Sequence, residues 1–546
     1  MSGKGAKNEG MGFAMSGRGD GIAVGIDVGS SNVKAVLLAE DGAQVASTSR
    51  QVNWSRAGEA AEIDAAALWR CVVDALSDLG GEAARSGGGL DRVRAIGACG
   101  QYSSIVPVDQ DIRPLAPMRS YLDTRGTSRC HDIMADHEEA FATWLERHPV
   151  PPVGGGLALG HLLAFQHDEP TVHAATHAYL EPVDYVTARL TGRITATQGS
   201  MFASQLVDNR SVGSTEYDAA LASLAGIDTA KLPDLVAPTA TVGAVLPELA
   251  EQVGLPTGVE VVAGMTDSHA AALATGADDG RRLGLAIGTT GVVLATTDHM
   301  AIDLDHEVLS MPGVRDGEWL VWAENGLAGR AVEHVMENLV HPLDELGDHR
   351  TASGDAFDRF EVALAASPPG AGGLRFLPWL SGSMAPHADP SMRGGFIGMS
   401  LETSRVDLVR AAAEGVLHNL RWMLEPVEAF TGRPAEEVVL TGGTARSAVW
   451  AQTTADVLGR PVTTLIDPGH AGARAVATWA RLLTGGEPDG TEPFTEADSA
   501  VAKHPGLGSS TAARFDPDPS CVEIHDEAHA QFRAAFDGLR PMRLGG

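Results

Sequence analysis

The chain has 546 residues, 44% hydrophobic and 20% charged, and a formal net charge of −31. That length exceeds what one hydrophobic core supports, so two or more domains are expected, and the composition is globular, not disordered or membranous. The acidity argues against a nucleic-acid or anionic-membrane partner, and no apolar run is long enough to cross a bilayer.

In chain order, residues 1–20 are rich in Gly, Ser and Lys, lack an apolar signal-like stretch and read as a disordered tail. Strands are expected at Ile22–Ile26, Val33–Ala39 and Gln44–Ser49, with Glu40-Asp41-Gly42 as a turn. Leu68, Val72, Ala75, Leu76 and Leu79 recur near helical spacing and predict a helix over Asp64–Leu79, followed by a strand at Val93–Ala98. Strands, a crossover helix and a further strand indicate an α/β domain. Val259–Ala263 reads as another strand and Ala270–Thr275 as a small-residue helix. Ala274 to Gly280 suits an interdomain linker, dividing 21–274 from 281–546.

Beyond that linker the chain repeats itself. Ile26-Asp27-Val28-Gly29-Ser30-Ser31-Asn32-Val33 is echoed by Leu285-Ala286-Ile287-Gly288-Thr289-Thr290-Gly291-Val292. Each reads as a strand, a glycine with two hydroxyl residues, and a second strand, which suggests a duplicated fold with a cleft between its halves. Asp27 becomes Ala286, so only one half has a carboxylate there. Further on, Pro368–Gly373 marks a loop before the strand Leu374–Pro378, and a long helix is expected over Arg405–Phe430. Thr441-Gly442-Gly443 ends a strand and opens a helix at Val449–Leu458. Gly485–Ser520 is expected to loop over the surface and Glu523–Leu539 to form a closing helix. The four scattered cysteines, Cys71, Cys99, Cys130 and Cys521, suit a reducing cytoplasm.

Five segments carry candidate chemistry. Gly29, Ser30 and Ser31 offer main-chain N–H groups and hydroxyls to a phosphate, with Lys34 close by in sequence, or form an ordinary hairpin turn. Asp27 at a strand end suits a magnesium ion that keeps most of its waters. Asp267, between a strand and a helix, fits either a base that takes a proton from an attacking hydroxyl or a helix cap; His269 is expected to be packed or solvated. Gly288, Thr289 and Thr290 would meet phosphates from the opposite wall. Gly442 and Gly443, ahead of Ser447 and a helix, let a flat base or phosphate lie on the main chain, or form a simple strand–helix turn. Asp123 and Arg125, two apart on an extended segment, would face sugar hydroxyls together with Gln101, or form a surface ion pair. GxxxxGK[ST] is absent, which excludes a P-loop enzyme. His173 and His177 have no third partner that would make a metal site.

In this order, the segments resemble the FGGY carbohydrate kinases, which share the actin and hexokinase type of ATPase fold. Asp27–Lys34 looks like the family's first phosphate motif, and Tyr121-Leu122-Asp123-Thr124-Arg125 is similar to its Trp-x-Asp-x-Arg sugar segment. Asp184-Tyr185 with Leu190-Thr191-Gly192 resembles its DY…LTG signature, Gly264-Met265-Thr266-Asp267 the segment of its catalytic base, and Gly288-Thr289-Thr290 its second phosphate motif. Thr441–Ser447 with Trp450, Gln452, Ala455 and Asp456 is close to the adenosine segment of the xylulose-kinase branch. The resemblance implies two ribonuclease H-like α/β domains flanking a central cleft. It implies ATP as co-substrate with magnesium held by Asp27, and a small sugar against Gln101, Tyr102, Asp123, Arg125 and Asp267, the last as base. The nucleotide would lie against Ser30, Ser31, Lys34, Gly288, Thr289, Thr290, Gly442, Gly443 and Ser447. A ketopentose such as xylulose or ribulose is the expected acceptor, with glycerol, erythritol, a ketohexose or a silent sugar sensor as alternatives; a homodimer stays open. Departures fall where substrate choice is set. Tyr121 replaces the usual Trp, Gln101-Tyr102 stands in place of Gln-Met-His-Gly, and Leu380–Pro386 differs in a segment expected to affect cleft closure.

Overall fold

In the computed structural model, residues 21–86, 88–277, 281–340, 356–484 and 511–542 are described; the tail at 1–20 and most of 485–520 lie outside them. The first sheet is built on strands β1 (Ile22–Val28), β2 (Asn32–Leu38) and β3 (Gln44–Gln51), joined as an antiparallel meander. Helix α1 (Ala65–Arg85) follows, capped by the Asp64 carboxylate on the N–H groups of Ala66 and Ala67. It buries Leu68, Val72, Ala75, Leu76 and Leu79, the stripe expected from their spacing, and returns the chain to β4 (Val93–Gly100), parallel to β1. Strands β5 (Thr241–Ala244) and β6 (Glu260–Val262) extend the sheet to the order β5-β6-β4-β1-β2-β3, with the short β7 (Met265–Thr266) also on β4. Helix α2 (Asp267–Thr275) leaves β7 directly.

The second sheet repeats the plan. Strands β8 (Arg282–Ile287) and β9 (Gly291–Thr297) form its antiparallel hairpin. Next come β10 (Ile302–Asp303), β11 (Val308–Pro312) and β12 (Trp319–Asn325). The long helix α3 (Arg405–Thr431) precedes β13 (Glu437–Thr441), parallel to β8; α4 (Ala448–Leu458) and β14 (Val462–Leu465) follow. The eight-stranded order ends β8-β13-β14 and one further edge strand. Register makes the sequence echo structural: Asp27 lies beside Lys34 and Cys99, and Ala286 beside Val292 and Thr441.

Edge strand β15 (Thr511–Phe515), antiparallel to β14, corrects the expectation that this stretch is surface loop. Its side chains are mostly exposed, so it carries no hydrophobic pattern; main-chain pairing alone defines it. The closing helix α6 starts earlier than expected, at Pro519, and runs to Leu539.

Helix α5 (Ala471–Thr484), from the second half of the sequence, lies across the first sheet. Glycines let it approach. A Cβ on Gly25 would stand 1.8 Å from the Ala473 carbonyl oxygen, and one on Gly97 2.1 Å from that of Val476. Helix α2 packs on α5 and also against β8 and β13. Two helices thus run between the sheets, one from each half of the chain.

Candidate active site

Both hairpin turns, the start of α2 and the start of α5 open onto one cavity of about 720 Å³ between the sheets, within the range of small-molecule sites. The first turn is fixed by Gly29 N–H on the Asn32 carbonyl and Val52 N–H on that of Ser31. The second is fixed by Gly288 N–H on Thr290, and by Ala328 and Gly329 N–H on Thr289 and Gly288. Ser30, Ser31, Gly288, Thr289 and Thr290 all line the cavity.

Asp267 also lines it. The helix-cap alternative is settled by its neighbour: the Thr266 side chain accepts the His269 N–H and caps α2, leaving Asp267 at the first helical position with its side chain open to the cavity. Its one side-chain partner is Ser268 Oγ, 3.5 Å from Oδ1. Asp267 is exposed to the cavity, not packed in a core; the enclosing cleft walls, then the nearby Asp27 and Glu324 carboxyls, push it up to about 7, opposed by hydrogen bonds from Ser268. Its carboxyl therefore changes protonation near neutrality, as a general base requires. His269 is packed, with Nδ1 2.7 Å from Thr266 Oγ1 and Nε2 2.8 Å from the Pro312 carbonyl; burial lowers it to about 4.

Gln101, just beyond β4, is buried, lines the cavity, and has no hydrogen-bond partner among the described residues for either side-chain amide atom. An unsatisfied buried amide costs roughly 1–3 kcal/mol, so its placement is explained by a ligand or water in the cavity. The loop that carries it is held by a residue not expected to matter: buried Glu181 accepts the N–H groups of Ser103 and Ser104 at 3.1 and 3.0 Å. Tyr102 reaches Ser268 from this loop, and Tyr121 faces Ser30; burial raises both phenols.

Asp27 and Lys34, cross-strand partners, both line the cavity, with Lys34 Nζ 3.8 Å from Asp27 Oδ2. Burial raises the Asp27 carboxyl, against the pull of Lys34 and His470 and a hydrogen bond with Cys99. A cation beside it would favour the ionised form. One mostly buried carboxylate at a cavity wall fits magnesium, which keeps several waters, better than an ion needing a full protein cage. Among the described residues no group of three or more acidic, His or Cys side chains could hold a metal.

Several expected contacts are not made. Asp123 and Arg125 do not line the cavity. The segment is a pair of turns, not the extended run assumed, and both side chains turn to the protein. Asp123 Oδ2 accepts the Ala61 N–H at 3.0 Å and Arg125 Nη2 at 2.6 Å, while Arg125 also reaches Glu62 at 2.6 Å. Burial works to raise the Asp123 carboxyl, but those hydrogen bonds outweigh it and hold it low. The pair anchors the loop that presents Tyr121.

Ser447 is buried and spent on capping α4, its Oγ accepting the Trp450 N–H at 3.0 Å. Replacing it with Ala should cost about 1 kcal/mol of stability and leave the KM for ATP unchanged, checked by denaturant melts beside initial rates. Gly443 also lies off the lining, whereas Thr441 and Gly442 are on it. Gly442 holds φ +92°, and a Cβ there would stand 2.4 Å from the Ile287 carbonyl oxygen.

Two cavity-lining contributors lay outside the sequence reading. Gly469 and Gly472, three apart at the start of α5, bring that helix N-terminus to the cavity; a Cβ on Gly472 would be 3.6 Å from Asp27 Oδ2. Two such glycines opening an Ala-rich helix were the available signal. Glu324 on β12 is a third carboxylate in the cavity, and nothing in its surrounding sequence marks it. Met384, from the divergent segment Leu380–Pro386, lines the cavity as well.

Comparison with known proteins agrees with this geometry. Residues 22–274 match the N-terminal domain of the FGGY family of carbohydrate kinases and residues 283–480 its C-terminal domain. The chain is 28% identical over 438 residues to a xylulose kinase of Bacillus subtilis, covering 80% of this chain and 83% of that one. It is 23% identical over 441 residues to a gluconokinase of the same organism, covering 80% and 82%. The crystal structure of a xylulose kinase from Rhodospirillum rubrum superposes with a TM-score of 0.76 at 25% identity, covering 96% of this chain and 99% of that one. Matched by both domain models of the family over most of its length, and with paired Gly-hydroxyl turns facing one cavity, the chain belongs to the FGGY family of carbohydrate kinases.

Proposed function

We propose that this kinase transfers the γ-phosphate of ATP to a hydroxyl of a small neutral ketose or polyol, with a ketopentose such as xylulose or ribulose the first acceptor to test. The observation that carries this reading is Asp267, a carboxyl raised to about 7 and not needed to cap its helix, in the same cavity as the Gln101 amide. Sugar hydroxyls supply both the donors and the acceptors that amide lacks. The xylulose-kinase relative supports a ketopentose.

In this mechanism Gln101 and Tyr102 orient the acceptor against Asp267. Asp267 takes the hydroxyl proton as the new O–P bond forms and the bond between the γ-phosphorus and the β-bridging oxygen breaks, releasing ADP. The two Gly-hydroxyl turns, Lys34 and the N-terminus of α5 hold and neutralise the phosphates, so most of the acceleration comes from alignment and charge stabilisation. Magnesium at Asp27 would supply further charge neutralisation on the phosphates. Closure of the two halves keeps water from accepting the phosphoryl group. Among the described residues no helix is long and apolar enough to cross a membrane, which supports work in the cytoplasm.

ATP consumption should depend on added ketose or polyol; turnover unchanged by every such acceptor would refute the reading. Because the base must be ionised, kcat/KM should rise as pH passes upward through about 7. Gln101→Leu should raise the acceptor KM about tenfold or more and leave the KM for ATP near wild type, read from initial rates at fixed, saturating co-substrate.

A further inference from the structure

Glu324 belongs to the second sheet, on β12, where it pairs across the ladder with Val292 of β9. The Thr290 hydroxyl, from the second phosphate turn, donates to its carboxylate. Yet its field acts on the opposite wall: it is the leading charge on Tyr102 and also acts on Tyr121 and Asp267. A carboxylate of the nucleotide-facing half thus reaches the acceptor-facing groups.

The charges around it are one-sided. Asp27, Asp267 and Glu324 all line the cavity, and Lys34 is the only Lys or Arg that does so among the described residues. Lys34 already lies 3.8 Å from Asp27. His148 lines the wall too, but both ring nitrogens meet main-chain oxygens, of Val150 at 3.1 Å and Phe202 at 3.0 Å, and burial lowers it to about 4. It stays neutral at physiological pH. Burial pushes the Glu324 carboxyl up to about 7, against the hydrogen bond from Thr290; its ionised form accepts hydrogen bonds and donates none, so above about pH 7 Glu324 suits a hydroxyl and repels another carboxylate. Gluconate, named in the gluconokinase relative, is an aldonate and carries such a charge.

We propose that Glu324 is a specificity-determining residue, which accepts a hydrogen bond from a hydroxyl of a neutral acceptor and, with Asp267, excludes aldonates from the cavity. This rests on the kinase reading above and adds the charge class of its acceptor. Like charges placed together at a binding surface repel, and among the described residues the one Lys or Arg lining the cavity, Lys34, already lies beside Asp27.

The test compares wild type, Glu324→Gln and Glu324→Asp on a neutral ketopentose, a polyol and gluconate, with melting curves as a folding control. Wild type should phosphorylate a neutral acceptor and show no turnover with gluconate. Glu324→Gln should raise the neutral-acceptor KM roughly tenfold or more with a smaller change in kcat. It should narrow the preference over gluconate and move the acid limb of kcat/KM to lower pH, because one like charge beside Asp267 is gone. Groups facing Glu324 that also titrate, Asp267, Tyr102 and Tyr121, are unchanged in both variants. Glu324→Asp, which keeps the charge, should keep gluconate excluded and the limb in place.

Gluconate turned over by wild type as efficiently as the neutral acceptors overturns the proposal, whether or not the variants fold. So does a Glu324→Gln enzyme with unaltered KM, preference and pH limb. If wild type phosphorylates no hydroxylated acceptor at all, the kinase reading fails and this proposal with it. Normal turnover of neutral acceptors with an indifferent Glu324 removes only the role given to that residue.

Discussion

Asp267→Asn should lower kcat by about 10²–10⁴ while the acceptor and ATP still bind, measured as coupled ADP release beside equilibrium titration of each ligand. The amide keeps the shape of the side chain and cannot take a proton. The capping of α2 is unaffected, since Thr266 supplies it. Stability should move the other way. A carboxyl raised from the usual aspartate value to about 7 in the folded protein is protonated more readily folded than unfolded. Its favourable contribution is complete below about pH 4 and is lost as pH climbs through about 7. The Asn variant should therefore melt above wild type at pH 8, with the gap closing toward pH 4. A variant equally active, or one that melts lower at pH 8, would remove Asp267 from the role of a desolvated base.

Among the glycines of the described residues, Gly25 should tolerate an added methyl group (Gly25→Ala) least. The new Cβ would stand 1.8 Å from the Ala473 carbonyl oxygen and 2.7 Å from its carbon, both main chain, so no side-chain rotation relieves the contact. Overpacking of this kind costs typically 1–3 kcal/mol and occasionally more, and the rigid obstacle places this site at the upper end. Shifting α5 also shifts Gly472 and Gly469 relative to Asp27, so turnover should fall beyond what the unfolded fraction explains. Gly81→Ala is the contrasting change. It lies on the exposed face of α1 with nothing within 4 Å of its would-be Cβ, and should stabilise by about 0.5–1 kcal/mol. Urea melts of the two variants, with rates measured on the folded fraction, test both statements.

Repetition made the architecture legible. The Gly-hydroxyl turns at 29–31 and 288–290 become equivalent hairpins, and the exchange of Asp27 for Ala286 survives as a structural difference between them. Helices with a clear apolar stripe, such as α1, were readable for the usual reason, that burial imposes a period. Asp123 and Arg125 misled because period two holds only for extended chain, and the segment turns; their charges satisfy each other before any ligand arrives. Ser447 misled because a hydroxyl ahead of a helix serves capping and phosphate binding equally well in sequence. Glu324 had no local signature, since its importance comes from strand pairing that sets it opposite residues more than fifty positions away. Edge strand β15 was unreadable for a related reason: an exposed strand needs no apolar alternation.

Helix α5 has a consequence for how the protein is made. The sheet formed by residues 22–262 emerges from the ribosome long before residues 471–484, which cover one of its faces. Until then that surface, built around Gly25 and Gly97, is left without its native cover. A chain ending near residue 276 would lack the cover that residues 471–484 give this face, so the first half has its full set of native contacts only once the second is made.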